Sequence, residues 1–233
     1  MKKLLLAATI LFSFTACDTA RSILNSDNLT SQDVAMGLKE ALSIGAQNSS
    51  SRLSLENGFF GNAILKIWMP PEAQRVESIL RGVGFGATVD KAVLAMNRAA
   101  EEAAKTAGTI FVDAVRQMTI QDAIGILRGS DTAATNYLRR TTSQTLFNAF
   151  KPAINSALAK TDATKYWNEV FTLYNQFSKT PVTTDLSSYV TQKAIDGIFY
   201  EIRNEEIKIR QDPAARVTDI LRRVFGSNLA QRR

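Results

Sequence analysis

Met118-Thr119-Ile120-Gln121-Asp122-Ala123-Ile124-Gly125-Ile126-Leu127-Arg128-Gly129-Ser130-Asp131-Thr132-Ala133-Ala134-Thr135-Asn136-Tyr137-Leu138-Arg139-Arg140-Thr141-Thr142, continuing to Phe150, is the stretch whose reading decides the fold. Thr119 offers a hydroxyl to the free N–H groups of a helix start, and Asp122 stands three places on, where the reciprocal acceptor of a capping box belongs. Gly129 is expected to stop that helix by entering the left-handed region. Ser130 and Asp131 are expected to cap a second, longer helix, with Ala134, Tyr137, Leu138, Phe147 and Phe150 at helical spacing. Between these apolar positions lies a dense polar set: Asp131, Thr135, Asn136, Arg139, Arg140, Thr141 and Thr142.

Working outward, the same helical periodicity recurs along the chain. Thr30 or Ser31 caps a first helix, with Val34, Leu38, Ala41 and Leu42 on one face and Gly45 as its expected end. Gln47 to Asn57, rich in Ser and Asn, reads as a loop. Ala63 to Met69 is short and apolar and has no partner strand, so it reads as an extended segment laid across helices. Pro71 opens the next helix. Gly82, Gly84 and Gly86 follow a helix rather than a strand, so they read as an interhelix turn and not as a phosphate loop. Thr88 caps a long helix whose stripe, Val89, Val93, Met96, Ala100, Ala103 and Ala107, is small enough to let another helix come close. A further helical segment follows from about Thr109 to Met118.

Pro152 starts or kinks a piece ending near Lys160. Asp162 caps a helix carrying Tyr166, Trp167, Val170, Phe171, Tyr174 and Phe177. That aromatic stripe suits core packing, or alternatively the lining of an apolar pocket. Asp185, Ser187 or Ser188 caps a last long helix to about Gln211, which Asp212-Pro213 breaks, and a final helix runs from Ala214 to Phe225. The expected fold is all-α: an irregular antiparallel bundle of about eight to nine helices, with the extended segment near residues 63–69.

Composition narrows the chemistry. The 233 residues include no histidine and one cysteine, Cys17. The usual neutral-pH base and commonest metal ligand are therefore missing, and neither an internal disulfide nor a Cys–His pair can be built. Catalysis would fall to carboxylates, lysine, tyrosine, or Ser/Thr with a lysine partner. No metal and no cofactor is expected.

The N-terminus places the chain in the cell. Lys2 and Lys3 precede the apolar run Leu4 to Phe14, which is shorter than the ~20 residues that span a bilayer and suits a signal-peptide core. Phe14-Thr15-Ala16-Cys17 resembles a bacterial lipobox, with Phe14 where leucine is usual. The expected layout is a signal peptide at 1–16, a lipidated Cys17 with a tether to residue 30, one helical domain over 31–226, and a basic tail at 227–233. Loss of Lys2 and Lys3 leaves 26 basic residues against 22 acidic, a formal +4. An exported, anchored protein rarely meets nucleic acid. The expected partners are the membrane through Cys17, an anionic lipid or glycan, and a protein partner of unknown identity. Asp18 leaves the choice of membrane open, with the outer membrane favoured over the inner.

Three stretches carry a family resemblance: Met118–Thr142 as quoted, Met96-Asn97-Arg98-Ala99-Ala100-Glu101, and Tyr189-Val190-Thr191-Gln192-Lys193-Ala194-Ile195-Asp196-Gly197. In that order, and over most of the chain from about Ser31 to Phe225, the sequence resembles the bacterial lipoprotein family known as domain-of-unknown-function family 4197. The resemblance implies an envelope lipoprotein and brings no activity with it.

Three constellations are candidates for function. Asp131, Thr135, Arg139, Arg140 and Thr142 form a possible anion site, with arginine as bidentate donor. The competing reading is an ion-pair network of Arg139 or Arg140 with Asp122 or Asp196. Glu201, Glu205 and Glu206 near Asp196 read as a solvated helix face rather than a Ca²⁺ or Mg²⁺ site. The C-terminal helix sets Val217, Ile220, Leu221, Val224 and Phe225 against Arg216, Arg222 and Arg223. It either lies on an anionic membrane or packs on the bundle. The expected role is a non-enzymatic envelope lipoprotein; the alternatives are a periplasmic carrier of an apolar or amphiphilic ligand, and a hydrolase using carboxylates.

Overall fold

The structure, a computed structural model, describes residues 29–160 and 185–227 together with Thr164, Trp167, Thr172, Asn175, Pro181 and Ala230. The expected signal peptide, Cys17, most of the tether, most of the aromatic stripe and nearly all of the basic tail lie outside these residues. Of the stripe, Trp167 is described and is buried.

Eight α-helices and no strand occur among the described residues. Helix α1 is Ser31–Leu53, opened by Thr30, whose hydroxyl accepts from the Asp33 N–H while Asp33 accepts in return. Gly45 does not end it. The serines that suggested a loop are spent inside the helix: Ser49 Oγ donates to the Gly45 carbonyl, and buried Ser50 donates to Ala104 O and accepts from Gly108 N. Their small hydroxyls satisfy backbone groups where α1 meets the following helices.

A run of turns follows, with Asn57 in the left-handed region at φ 69°, a conformation that asparagine tolerates better than most. The stretch free of helix and turn begins later than the expected extended segment, at Lys66. Ala63–Leu65 is a turn because Asn62 Oδ1 accepts from the N–H groups of Ile64 and Leu65, closing the chain locally. Pro71–Ala73 forms a 3₁₀ turn leading into α2, Gln74–Gly82. Gly84, at φ +93°, turns the chain into α3, Gly86–Ala104. Thr88 does not cap α3, which begins two residues earlier and has no side-chain cap. Helices α4, Ala107–Gln117, and α5, Ile120–Leu127, follow.

Helix α6 is Ala133–Ala159 and passes straight through Pro152. Phe150, Ile154 and Leu158 are fully buried on either side of the proline, so packing of one continuous apolar stripe offsets the lost hydrogen bond. Helix α7 is Leu186–Gln211, capped by Asp185 as expected. A 3₁₀ turn at Pro213–Ala215 shortens the last helix, α8, to Asp219–Phe225.

Helix α1 packs on α4, α5, α7 and α8, while α6 packs on α3, α4 and α7. The alanine stripe does what its size allows: Ala99, Ala100, Ala103, Ala104 and Ala107 have essentially no exposed surface. Larger side chains fill the spaces around it, among them Met96, Leu138 and the edge-to-face pair Phe111–Phe199, with centroids 5.5 Å apart. Helix α2 buries no residue fully and touches mainly α3.

Candidate functional site

The polar set of α6 does not converge on one surface. Thr135 is buried, and its N–H and hydroxyl both donate to Glu206 Oε2 at 2.8 Å. Thr142 is buried and turns its hydroxyl back to the Leu138 carbonyl. Asp131 accepts a long hydrogen bond from Gln211 Nε2. Arg139 is exposed; it lies over the Phe199 ring at 4.4 Å and meets Asp196 at 3.1 Å. Arg140 lies over the Tyr137 ring. It also feels Asp122, whose carboxyl is held below the usual carboxylate range chiefly by the Thr119 hydroxyl and N–H.

Because Arg139 and Asp196 are each about half exposed (46% and 45%), solvent screens the pair. Arg139→Ala is expected to lower stability by no more than about 1 kcal/mol. Thermal melts of the two proteins read this directly, and a much larger loss would show the arginine to be a structural keystone.

A buried ion pair lies beneath that surface. Glu206 and Arg210 on α7 form a buried ion pair, with Nη2 2.9 Å from Oε1 and side chains 4% and 2% exposed. Neither spends itself on the other alone. The glutamate also accepts from the Ala134 and Thr135 N–H groups at the start of α6. The arginine donates to the Ile126 and Leu127 carbonyls at the end of α5. One residue thus closes the unsatisfied donors of a helix start and the other the unsatisfied acceptors of a helix end.

The α5–α6 turn differs from expectation at both of its ends. Ser130 and Asp131 do not cap α6; its N-cap is Thr132 with no side-chain bond, because Glu206 supplies the acceptor from across the bundle. Gly129 is not in the left-handed region; its need for glycine is room, since a Cβ there would sit 2.6 Å from Ala133 Cβ. The expected capping box of Thr119 and Asp122 is present.

The carboxylates of α7 are likewise not one solvated face. Glu201 and Glu205 both take Arg52 of α1, at 2.8 and 2.9 Å, while Glu206 points inward. Among the described residues, no group of three or more carboxylates or thiols is placed to hold a metal ion.

A second buried polar pair, on α3, holds the irregular loop between α1 and α2. Asn97 grips Ile67 at both backbone groups, accepting from its N–H and donating to its carbonyl at 2.8 Å, and donates again to Val93 O. It acts as a one-residue strand partner for the extended segment. Glu101 accepts from the N–H groups of Phe59 and Phe60 and pairs with Arg98, which reaches on to Glu56 and Asn57. From α7, Tyr189 Oη donates to Trp68 O. Gly197 leaves space for the buried Phe59 ring, whose Cε1 would lie 2.6 Å from an added Cβ.

The loop so fixed keeps Ile64 and Trp68 largely outside, at 68% and 54% exposure. Lys66 lies against both the Phe60 and Trp68 rings, at 4.0 and 4.3 Å. The segment is thus irregular in backbone, locked by buried polar residues from α3, and carries Ile64 and Trp68 outward. A separate cleft of about 350 Å³ between α1 and α4 is polar, lined by Gln47, Ser51, Lys105, Thr109 and Arg116 among others. Its cations are paired, Lys105 with Glu102 and Arg116 with Asp113.

The holding residues left a trace that the sequence reading passed over. Asn97 and Glu101 follow Val93 at four-residue steps, and Glu206 follows Ile198 and Ile202 in the same way. A polar residue on an apolar stripe must find an interior partner, and that was the available signal.

An all-α bundle with two internally clasped irregular segments defines the class. The chain belongs to the family described as protein of unknown function, DUF4197, whose model matches residues 28–226. No curated protein and no solved structure matches it.

Proposed function

We propose that the chain is a non-enzymatic lipoprotein of the bacterial cell envelope, anchored through acylated Cys17 and facing the periplasm, whose helical domain presents the clasped 59–69 loop to a partner. The basic start, the short apolar run and Ala16-Cys17 support the anchor. The observation that carries the binding role is the outward placement of Ile64 and Trp68 on a loop held by buried Asn97 and Glu101. The binding role is favoured over carboxylate chemistry because the two buried glutamates among the described residues, Glu101 and Glu206, are already taken up by backbone N–H groups and arginine. A carrier of apolar ligands would draw on the aromatic stripe around Trp167 instead. The outer membrane is the favoured destination.

Cys17→Ser tests the anchor. Labelled palmitate is expected to enter the parent and not the variant, and the variant is expected to leave the membrane fraction. Equal labelling, or a parent found in the cytosol, overturns the reading.

A further inference from the structure

Helix α8 packs against the first turns of α1, at the start of the described residues. Whatever its conformation, the segment from Cys17 to Leu29 spans at most about 40 Å, at ~3.3–3.6 Å per residue. Helix α8 crosses α1 at Gly37, where an added Cβ would strike Val224 Cγ2 at 2.7 Å and Ile220 Cγ1 at 2.9 Å. That crossing is under two helical turns from Ser31, about 9 Å along the axis. Helix α8 turns Leu221, Val224 and Phe225 inward and leaves Arg222 and Arg223 outside. Val217 and Met36, beside the crossing elements, are 63% and 52% exposed.

The charges facing this surface are mostly positive. Arg222 donates to the Arg216 carbonyl and pairs with the exposed Asp219. Arg223 stands close enough to Asp33 to act on its carboxyl, which the Thr30 hydroxyl and N–H mainly hold low. Arg216 caps the end of α7 by donating to the Ile209 and Arg210 carbonyls. Arg232 and Arg233 follow in sequence. Among the described residues, Arg216, Arg222 and Arg223 thus stand against Asp33 and Asp219, with two large apolar side chains exposed on and beside the elements that carry them.

We propose that this face, built from α8 and the first turns of α1, docks on the anionic lipid headgroups of the membrane that holds Cys17. The proposal rests on the anchor put forward above and specifies which surface meets the bilayer. Tethering makes a weak surface sufficient, because a short linker holds the domain at millimolar effective concentration. Docking there leaves the lipid contact to α8 and frees Trp68 for a different partner.

The test uses the full acylated chain in vesicles. With Cys17 acylated, an introduced cysteine is the sole free thiol, so Val217→Cys and Met36→Cys are read by the rate of reaction with a water-soluble maleimide. Val83→Cys on the α2–α3 turn serves as reference. Adding phosphatidylglycerol to phosphatidylcholine vesicles is expected to slow labelling at 217 and 36 while leaving 83 unchanged, and Arg222→Glu with Arg223→Glu to restore it about tenfold or more. Equal rates in both vesicles overturn the docking face. So does protection in detergent with a doubled mass, which would assign the surface to a second copy. Chain that does not float with vesicles and has an unmodified Cys17 mass overturns the anchor itself; floating chain with undiminished labelling overturns the docking face alone.

Discussion

Glu206→Ala is expected to destabilise the fold by about 3–5 kcal/mol, the loss seen when one member of a buried ion pair is removed. The variant leaves Arg210 inside with two carbonyls for company and no countercharge, and it strips the Ala134 and Thr135 N–H groups and the Thr135 hydroxyl of their acceptor. For a chain of this size, each kcal/mol moves the melting point by roughly 2–4 °C, so a fall on the order of 10 °C is expected. Arg210→Met alone should also be costly, because it leaves Glu206 charged and the Ile126 and Leu127 carbonyls unmet. The pair is the sharper measurement: Glu206→Met with Arg210→Met should lose less than the two single changes added together, since no lone charge stays buried. Strict additivity in denaturant titrations, or a Glu206→Ala loss under about 1 kcal/mol, would mean that water reaches the pair and that the clasp is not what orders the α5–α6 turn.

Asn97→Ala should come next in size, at about 2–4 kcal/mol, because it leaves the Ile67 N–H and carbonyl buried without partners. Its signature differs from that of the glutamate. The Glu206 change strikes two helix ends of the core, whereas the Asn97 change strikes one loop, so the expected result is local opening ahead of global unfolding. Amide exchange separates the two. The Ile67 N–H should be among the slower amides in the parent and join the fast loop amides in the variant, while those of α6 change little. Trp68 reports the same event in its fluorescence, since its carbonyl accepts from Tyr189 at the edge of the clasped segment. An Ile67 amide that remains protected in the variant would show that the neighbouring contacts of Leu65 and Phe59 hold the loop unaided.

These two residues also mark where sequence reading worked and where it stopped. Thr119 with Asp122 was legible because donor and acceptor lie three residues apart and the chemistry is local. Thr30 was one of two candidate caps for α1, and the structure selects it, with Asp33 as the reciprocal acceptor. The alanine stripe of α3 was legible because side-chain size at a helical repeat reports how closely a neighbour can approach. The serine-rich end of α1 was misread because a hydroxyl that suits a loop also suits a tight helix contact, and only Ala104 and Gly108 decide between them. Pro152 was read as starting or kinking a helical piece because the local rule is sound; it starts none, since the buried stripe of Phe150, Ile154 and Leu158 carries one helix across it. Glu206 and Arg210 look, residue by residue, like any solvated pair four apart. Their partners at Ala134, Thr135, Ile126 and Leu127 lie 71 to 84 positions away, where neither periodicity nor propensity reaches. The same distance scattered the proposed anion site: Thr135 and Arg139 share a helix face on paper, but α7 claims the first for the interior and leaves the second to Asp196.

That separation has a consequence for the order in which the chain is assembled. The bonds that settle the α5–α6 turn wait for residues near the C-terminal end, so during synthesis the middle of the molecule is made long before the groups that lock it exist. Non-local closure of this kind is slow, because loop-closure entropy is lost before any contact returns it. The junction between α5 and α6 therefore stays unlocked until residues 206 and 210 have been translated, however early the helices on either side of it form.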